Sequence, residues 1–250
     1  MSLAIAAQAD ARDRSTLGTL ANAVLTTGLA IGAVFLLFPH IDLEFARIFY
    51  RPGVGFVGHI DPAISALRSL FITFYFACIA LALVGLARTR FDRRVWLSLT
   101  AAQWLFLVAC LGIGPGLVAN VLLKDQVGRA RPKHVTEFGG AKAFTPPLIP
   151  ARECQRACSF VSGEAASVVV PFYAVTLLVP QWSVLLAASG TVLGLIAGLV
   201  RMSQGAHFLS DVIFALVFMA LTVMAVHRVM LGRGHRHASF WKKSIPETVA

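Results

Sequence analysis

The sequence predicts an all-α integral membrane protein, a bundle of six spanning helices, on three observations. The first is composition. Of 250 residues, 57% are hydrophobic and 14% charged, with a mean hydropathy of +0.75, which is far too apolar for a soluble domain of this length. The second is distribution, because the charges sit in short segments between long uncharged runs. The third is a set of three polar islands between Lys124 and Asp211 that a six-span path carries to one membrane face.

Residues 1–16 are polar, and the first apolar run, about 17–38, is long enough to span. It ends in Phe-Pro-His with no small-residue cleavage pattern, so it is read as retained rather than removed. Residues 39–68 form a polar-aromatic connection in which LEFARIFY (43–50) reads either as an interfacial helix or as an ordinary loop helix. The second span, 69–87, stops at the arginine-rich RTRFDRR. The third, 95–123, contains Gly112, Gly114, Pro115 and Gly116, which suggest a kink or close helix packing. A long polar loop, 124–162, follows. From Ala165 to Val200 nothing is charged. As one helix that stretch would reach roughly 54 Å at 1.5 Å per residue, against a hydrocarbon core of about 30 Å. It therefore divides into spans 163–179 and 183–200, with Pro180-Gln181-Trp182-Ser183 as the turn. The last span, 208–226, precedes a basic tail, 227–250. The whole chain reads as a single membrane domain with both termini on one side.

Net charge is +10, but the cations lack the aromatic interleaving of a nucleic-acid module, so anionic lipid is the expected partner. Eleven Lys and Arg lie on each side of the membrane in this topology. Setting aside Lys124, Arg131 and Arg201 as site residues leaves eight on the island side, which favours cytoplasmic termini. Cys78 and Cys110 lie in apolar runs and read as packing residues. Cys154 and Cys158, in the polar loop, are spaced to permit a disulfide without requiring one. Oligomeric state is not legible.

The islands carry the chemistry. KDQVGRARP places Lys124 and Arg131 seven apart, on one face if the third span continues as a helix. SFVSGEAAS places Ser162-Gly163 ahead of an apolar helix, whose first-turn amides suit an anion, though an ordinary N-cap reads the same way. RMSQGAHFLSD supplies Arg201, able to grip phosphate bidentately, then His207 and Asp211 at i and i+4. Any one cation alone would read as a snorkelling interfacial residue. Together they suit phosphoryl transfer through a histidine. A metal reading is weaker, because no second His or Cys stands at ligand spacing near the pair. A channel lacks a charge ring within its spans.

The three islands resemble the motifs of the type 2 phosphatidic acid phosphatase (PAP2) superfamily: KX6RP, PSGH and SRX5HX3D. Lys124-X6-Arg131-Pro132 matches the first throughout. Arg201-X5-His207-X3-Asp211 matches the third, with Val200 in place of Ser. Ser162-Gly163 match the second, with Val161 for Pro and Glu164 for His. The resemblance, which covers the six-span layout and about residues 95–230, implies a PAP2-type bundle and no cofactor or metal. It implies His207 as nucleophile, Asp211 as its partner, and Lys124, Arg131, Ser162, Gly163 and Arg201 as phosphate ligands. The family's second-motif histidine, which protonates the leaving alkoxide, is missing, and Glu164 or His134 is the candidate replacement. CSFVSGEAAS and QGAHFLSDV look most like bacterial lipid A phosphatases, which remove the 1- or 4′-phosphate from lipopolysaccharide precursors, and the site, opposite the termini, would then open on the periplasmic face of the inner membrane. Undecaprenyl diphosphate, phosphatidylglycerophosphate and phosphatidic acid stay open as substrates, as does a non-catalytic lipid-phosphate binder or transport component.

Overall fold

A computed structural model describes residues 2–232, so the basic tail expected at 227–250 lies mostly outside the described residues. Helix α1 (Ser2–Leu37) runs almost to Pro39, and a short helix α2 (His40–Arg47) follows it. Next comes a two-stranded hairpin, β1 (Tyr50–Arg51) antiparallel to β2 (Gly55–Phe56), and then a 3₁₀ turn, Val57–His59. The remaining longer helices are α3 (Pro62–Phe91), α4 (Ala101–Leu111), α5 (Gly163–Thr176), α6 (Ser183–Ser203) and α7 (Leu209–Met230).

Local chemistry sets the boundaries. Helix α3 starts seven residues earlier than the apolar run suggests. Asp61 caps it by accepting from the Ala63 N–H at 2.8 Å, and Pro62 supplies a preset φ at its first position. The expected third span at 95–123 starts late. Arg93, Leu97 and Ser98 have positive φ, and the helix begins only where Thr100 and Gln103 form a capping box. Beyond Leu111 the coil widens into a π-helix, Gly112–Lys124. Pro115 has no N–H to give that turn, and the Asn120 side-chain amide donates to the Pro115 carbonyl at 2.7 Å.

Five helical segments among the described residues are long and apolar enough to cross a membrane: Ser15–Leu37, Pro62–Phe91, Ala101–Lys124, Pro180–Ser203 and Leu209–Met230. Large apolar side chains on α1, α3 and α6 face outward, among them Leu29, Phe76 and Val184. In water such surfaces would associate, so this is a multi-pass membrane protein. Helix α5, expected as a span at 163–179, is only 14 residues long and sits at the centre. Its Ala165, Ala166, Val169 and Val170 are fully buried, packed mainly against α6 and α7. A second, smaller core of Ala46, Phe56, Ala130, Val135, Phe138 and Phe208 joins α2, the hairpin and the 124–162 loop over one end of the bundle. That end carries the islands.

Candidate active site

The first island does not continue as a helix. A last turn, Asp125–Val127, stops at Gly128, whose φ is +65°. A Cβ there would collide with the Ala151 carbonyl, so glycine is required twice over, by conformation and by close approach. Lys124 and Arg131 therefore do not share a helical face. Instead, Lys124 ends the π-helix and donates from Nζ to Asn120 Oδ1 at 3.1 Å. Arg131 reaches the site from an extended segment, its Nε donating to the Ala157 carbonyl at 3.0 Å.

Ser162 is the N-cap of α5. Its hydroxyl accepts from the Ala165 N–H at 3.4 Å, and its own N–H donates to the Asp211 carbonyl at 3.0 Å. The first-turn amides of Gly163 and Glu164 are left open by the helix, as such amides are. Gly163 faces Lys124, since an added Cβ would lie 3.1 Å from Nζ.

His207 lies in the turn before α7, not on it, so the expected i, i+4 helical pairing with Asp211 does not form. Their nearest approach is 3.7 Å from Nδ1 to Oδ2. Nδ1 lies 2.7 Å from the Ser159 carbonyl. A carbonyl only accepts, so Nδ1 carries a proton toward it, and in the neutral tautomer with that arrangement the lone pair lies on Nε2. Nε2 has no hydrogen-bond partner and lies 3.7 Å from Glu164 Oε2.

Asp211 is linked to His207 through Ser159. One carboxylate oxygen accepts from the Ser159 hydroxyl, and from the Phe208 N–H at 2.8 Å. The other accepts from Arg129 Nη1 at 2.6 Å. Arg129 occupies one of the unspecified positions between Lys124 and Arg131, was absent from the expected site, and is fully buried. Its Nη2 donates to Asp42 Oδ2 at 2.8 Å and its Nε to the Thr145 carbonyl at 2.8 Å. The guanidinium lies over the Phe208 ring at 4.4 Å from its centroid. Burial opposes the charge on Arg129, and the Asp211 and Asp42 carboxylates more than offset it. Asp42 is tied in turn to Ser210, accepting from its N–H at 2.9 Å and its hydroxyl at 2.5 Å.

The open side of the ring is built differently. Glu164 Oε1 pairs with Arg201 Nε at 3.0 Å and with Arg68 Nη2 at 3.2 Å. Arg201 also donates from Nη1 to Gln204 Oε1 at 2.5 Å. Lys124 lies within the field of Glu164, Arg131 and Arg201. The islands thus converge on His207, with Arg68, Ser159, Arg129 and Asp42 as additions. Arg68 stood in the sequence as a lone cation just ahead of an uncharged run, which was its one signal. His134 is not gathered in. It stands on a 3₁₀ turn, mostly exposed, where its slight burial and then the Lys133 and Arg131 charges push its imidazole below the usual range. Cys154 and Cys158 are disulfide-bonded, directly beside Ser159. Among the described residues no group of three or more His, Cys, Asp or Glu could hold a metal.

Residues 101–234 match the PAP2 superfamily. A lipid A 4'-phosphatase of Francisella tularensis subsp. novicida (strain U112) is 36% identical over 201 residues, covering 78% of this chain and 89% of that protein. One from Rhizobium leguminosarum is 32% identical, covering 78% and 91%. The fold is similar to the crystal structure of a transmembrane PAP2 type phosphatidylglycerolphosphate phosphatase from Bacillus subtilis. That likeness has a TM-score of 0.51 at 15% identity and covers 91% of this chain and 98% of that one.

Proposed function

The chain belongs to the PAP2 superfamily, and from that premise we propose that it hydrolyses a phosphomonoester of lipid A through a phosphohistidine intermediate. The observation that carries the reading is the His207 ring, with Nδ1 held by a carbonyl and Nε2 bare toward a cluster of cations. Lys124, Arg131, Arg201 and the Gly163 amide would hold the phosphate dianion and stabilise its transition state. His207 Nε2 attacks phosphorus, forming a P–N bond as the bond to the lipid oxygen breaks. Water then cleaves the P–N bond, releasing inorganic phosphate and restoring the imidazole.

The leaving oxygen needs a proton. Glu164 occupies the resting site on Arg201 and Arg68, where an incoming phosphate would displace it. Displaced from its arginines, the carboxylate would take up a proton from solvent, pass it to the leaving oxygen and recover it from the attacking water, and the exposed position of His134 favours Glu164 over it. Ser162 supports the seat as the cap of α5 rather than by direct contact. We further propose an inner-membrane location with cytoplasmic termini and a periplasmic site. Maleimide labelling of single cysteines placed at 92 and at 140 in intact cells tests this, and labelling of 92 alone would reverse the orientation.

Phosphate release by detergent-purified protein in EDTA tests the activity, with lipid A, undecaprenyl diphosphate, phosphatidylglycerophosphate and phosphatidic acid as substrates. Release from lipid A that vanishes in His207→Ala is expected. Binding without release, unchanged in His207→Ala, would instead establish a lipid-phosphate binder whose seat Glu164 fills.

A further inference from the structure

Residues that grip a phosphate cannot tell one phosphorylated lipid from another, so discrimination must lie beside them. A cavity of about 200 Å³ adjoins the cation cluster. Tyr50, Phe56 and Phe138 form one wall, with ring centroids 5.2–5.4 Å apart. Phe56 and Phe138 are buried, and Tyr50, packed against both, is half-buried. His59, Lys133 and Gln204 supply the polar edge.

Gln204 joins this cavity to the phosphate seat. It lines the cavity, and its Oε1 accepts from Arg201 Nη1 at 2.5 Å. Lys133 is held near the same place, because its backbone N–H donates to the Gly205 carbonyl at 3.1 Å. Burial, then the Arg131 and Arg201 charges, push its ammonium below the usual range, so it shares their field. Tyr50, Phe56 and His59 come from the segment before α3, outside the 101–234 region that matches the superfamily. Phosphate chemistry common to the superfamily would not require them.

We infer that this cavity is a saccharide subsite, which seats the sugar ring carrying the phosphate held by Arg201. An apolar sugar face would stack on Tyr50, while ring hydroxyl and amide groups would meet Gln204, Lys133 and His59. Its volume is below the roughly 300–1,000 Å³ of pockets for drug-sized ligands, which suits one sugar ring and not a whole disaccharide. The inference rests on the lipid A reading above.

The test compares two substrates on the full-length enzyme in detergent: a phosphorylated glucosamine-disaccharide lipid, and phosphatidic acid, which has no sugar. For His59→Ala/Lys133→Ala, and separately Tyr50→Ala, KM for the saccharide lipid should rise about tenfold while KM for phosphatidic acid changes less than about twofold. Because His59 and Lys133 are exposed, the double variant tests the subsite even where Tyr50→Ala fails to fold. Equal shifts for both substrates, or none for either, would overturn the subsite and leave the lipid A reading standing. Cleavage of phosphatidic acid but not of the saccharide lipid by the unsubstituted enzyme would overturn both.

Discussion

The two sides of the His207 ring are built on opposite principles. Behind Nδ1, Ser159, Asp211, Arg129 and Asp42 form a closed network with no side chain exposed to solvent, in which each charge faces an opposite charge. In front of Nε2, Arg68 and Glu164 are partly exposed while Arg201 is buried; His207 Nε2 has no hydrogen-bond partner, and Arg201 Nε meets Glu164 as an ion pair at 3.0 Å without a well-aligned hydrogen bond. On the proposed reading, the difference separates positioning from binding. A dry, fully paired network holds one geometry, because every alternative strands a buried charge. An under-bonded cluster keeps its donors available for an anion.

The largest expected effect comes from breaking the closed side. Arg129→Met leaves Asp42 and Asp211 buried without their cation and should cost about 3–5 kcal/mol, read as a fall in thermal stability in detergent. A melt like that of the unsubstituted protein would dissolve the distinction between the two sides. Arg201→Ala, on the open side, should leave the melt nearly unchanged and lower kcat/KM by about 10²–10³.

Glu164→Gln sharpens the account of the front. As the proton donor it should lower kcat by about 10²–10⁴. Weakening its hold on Arg201 and Arg68 should also tighten inhibition by orthophosphate. Tighter inhibition with kcat intact would keep Glu164 as a placeholder and remove it as the acid. The smallest effect is expected from Cys154→Ser/Cys158→Ser. Opening so short a loop should cost about 2 kcal/mol on chain-entropy grounds, with a few-fold loss of kcat/KM as Ser159 and Ala157 loosen against His207 and Arg131. Full activity after reduction would show that the loop holds its shape without the bond.

Sequence by itself determined the all-α membrane class and membership of the PAP2 superfamily. Both rest on properties carried residue by residue: long uncharged runs, and motif side chains at set spacings. The apolar runs misplace two helix starts, at 69 and 95, although Asp61-Pro62 and Thr100 with Gln103 are local capping signals that mark the observed ones. Only tertiary structure decided which atoms meet. The Nδ1 partner of His207 is a backbone carbonyl 48 residues away, and carbonyls are the same at every position in a sequence. Arg129 looked like any loop cation until Asp42, 87 residues upstream, and Asp211, 82 downstream, closed on it. Burial turns such a residue from a solvated charge into a fixed one, and burial is a property of the packed chain.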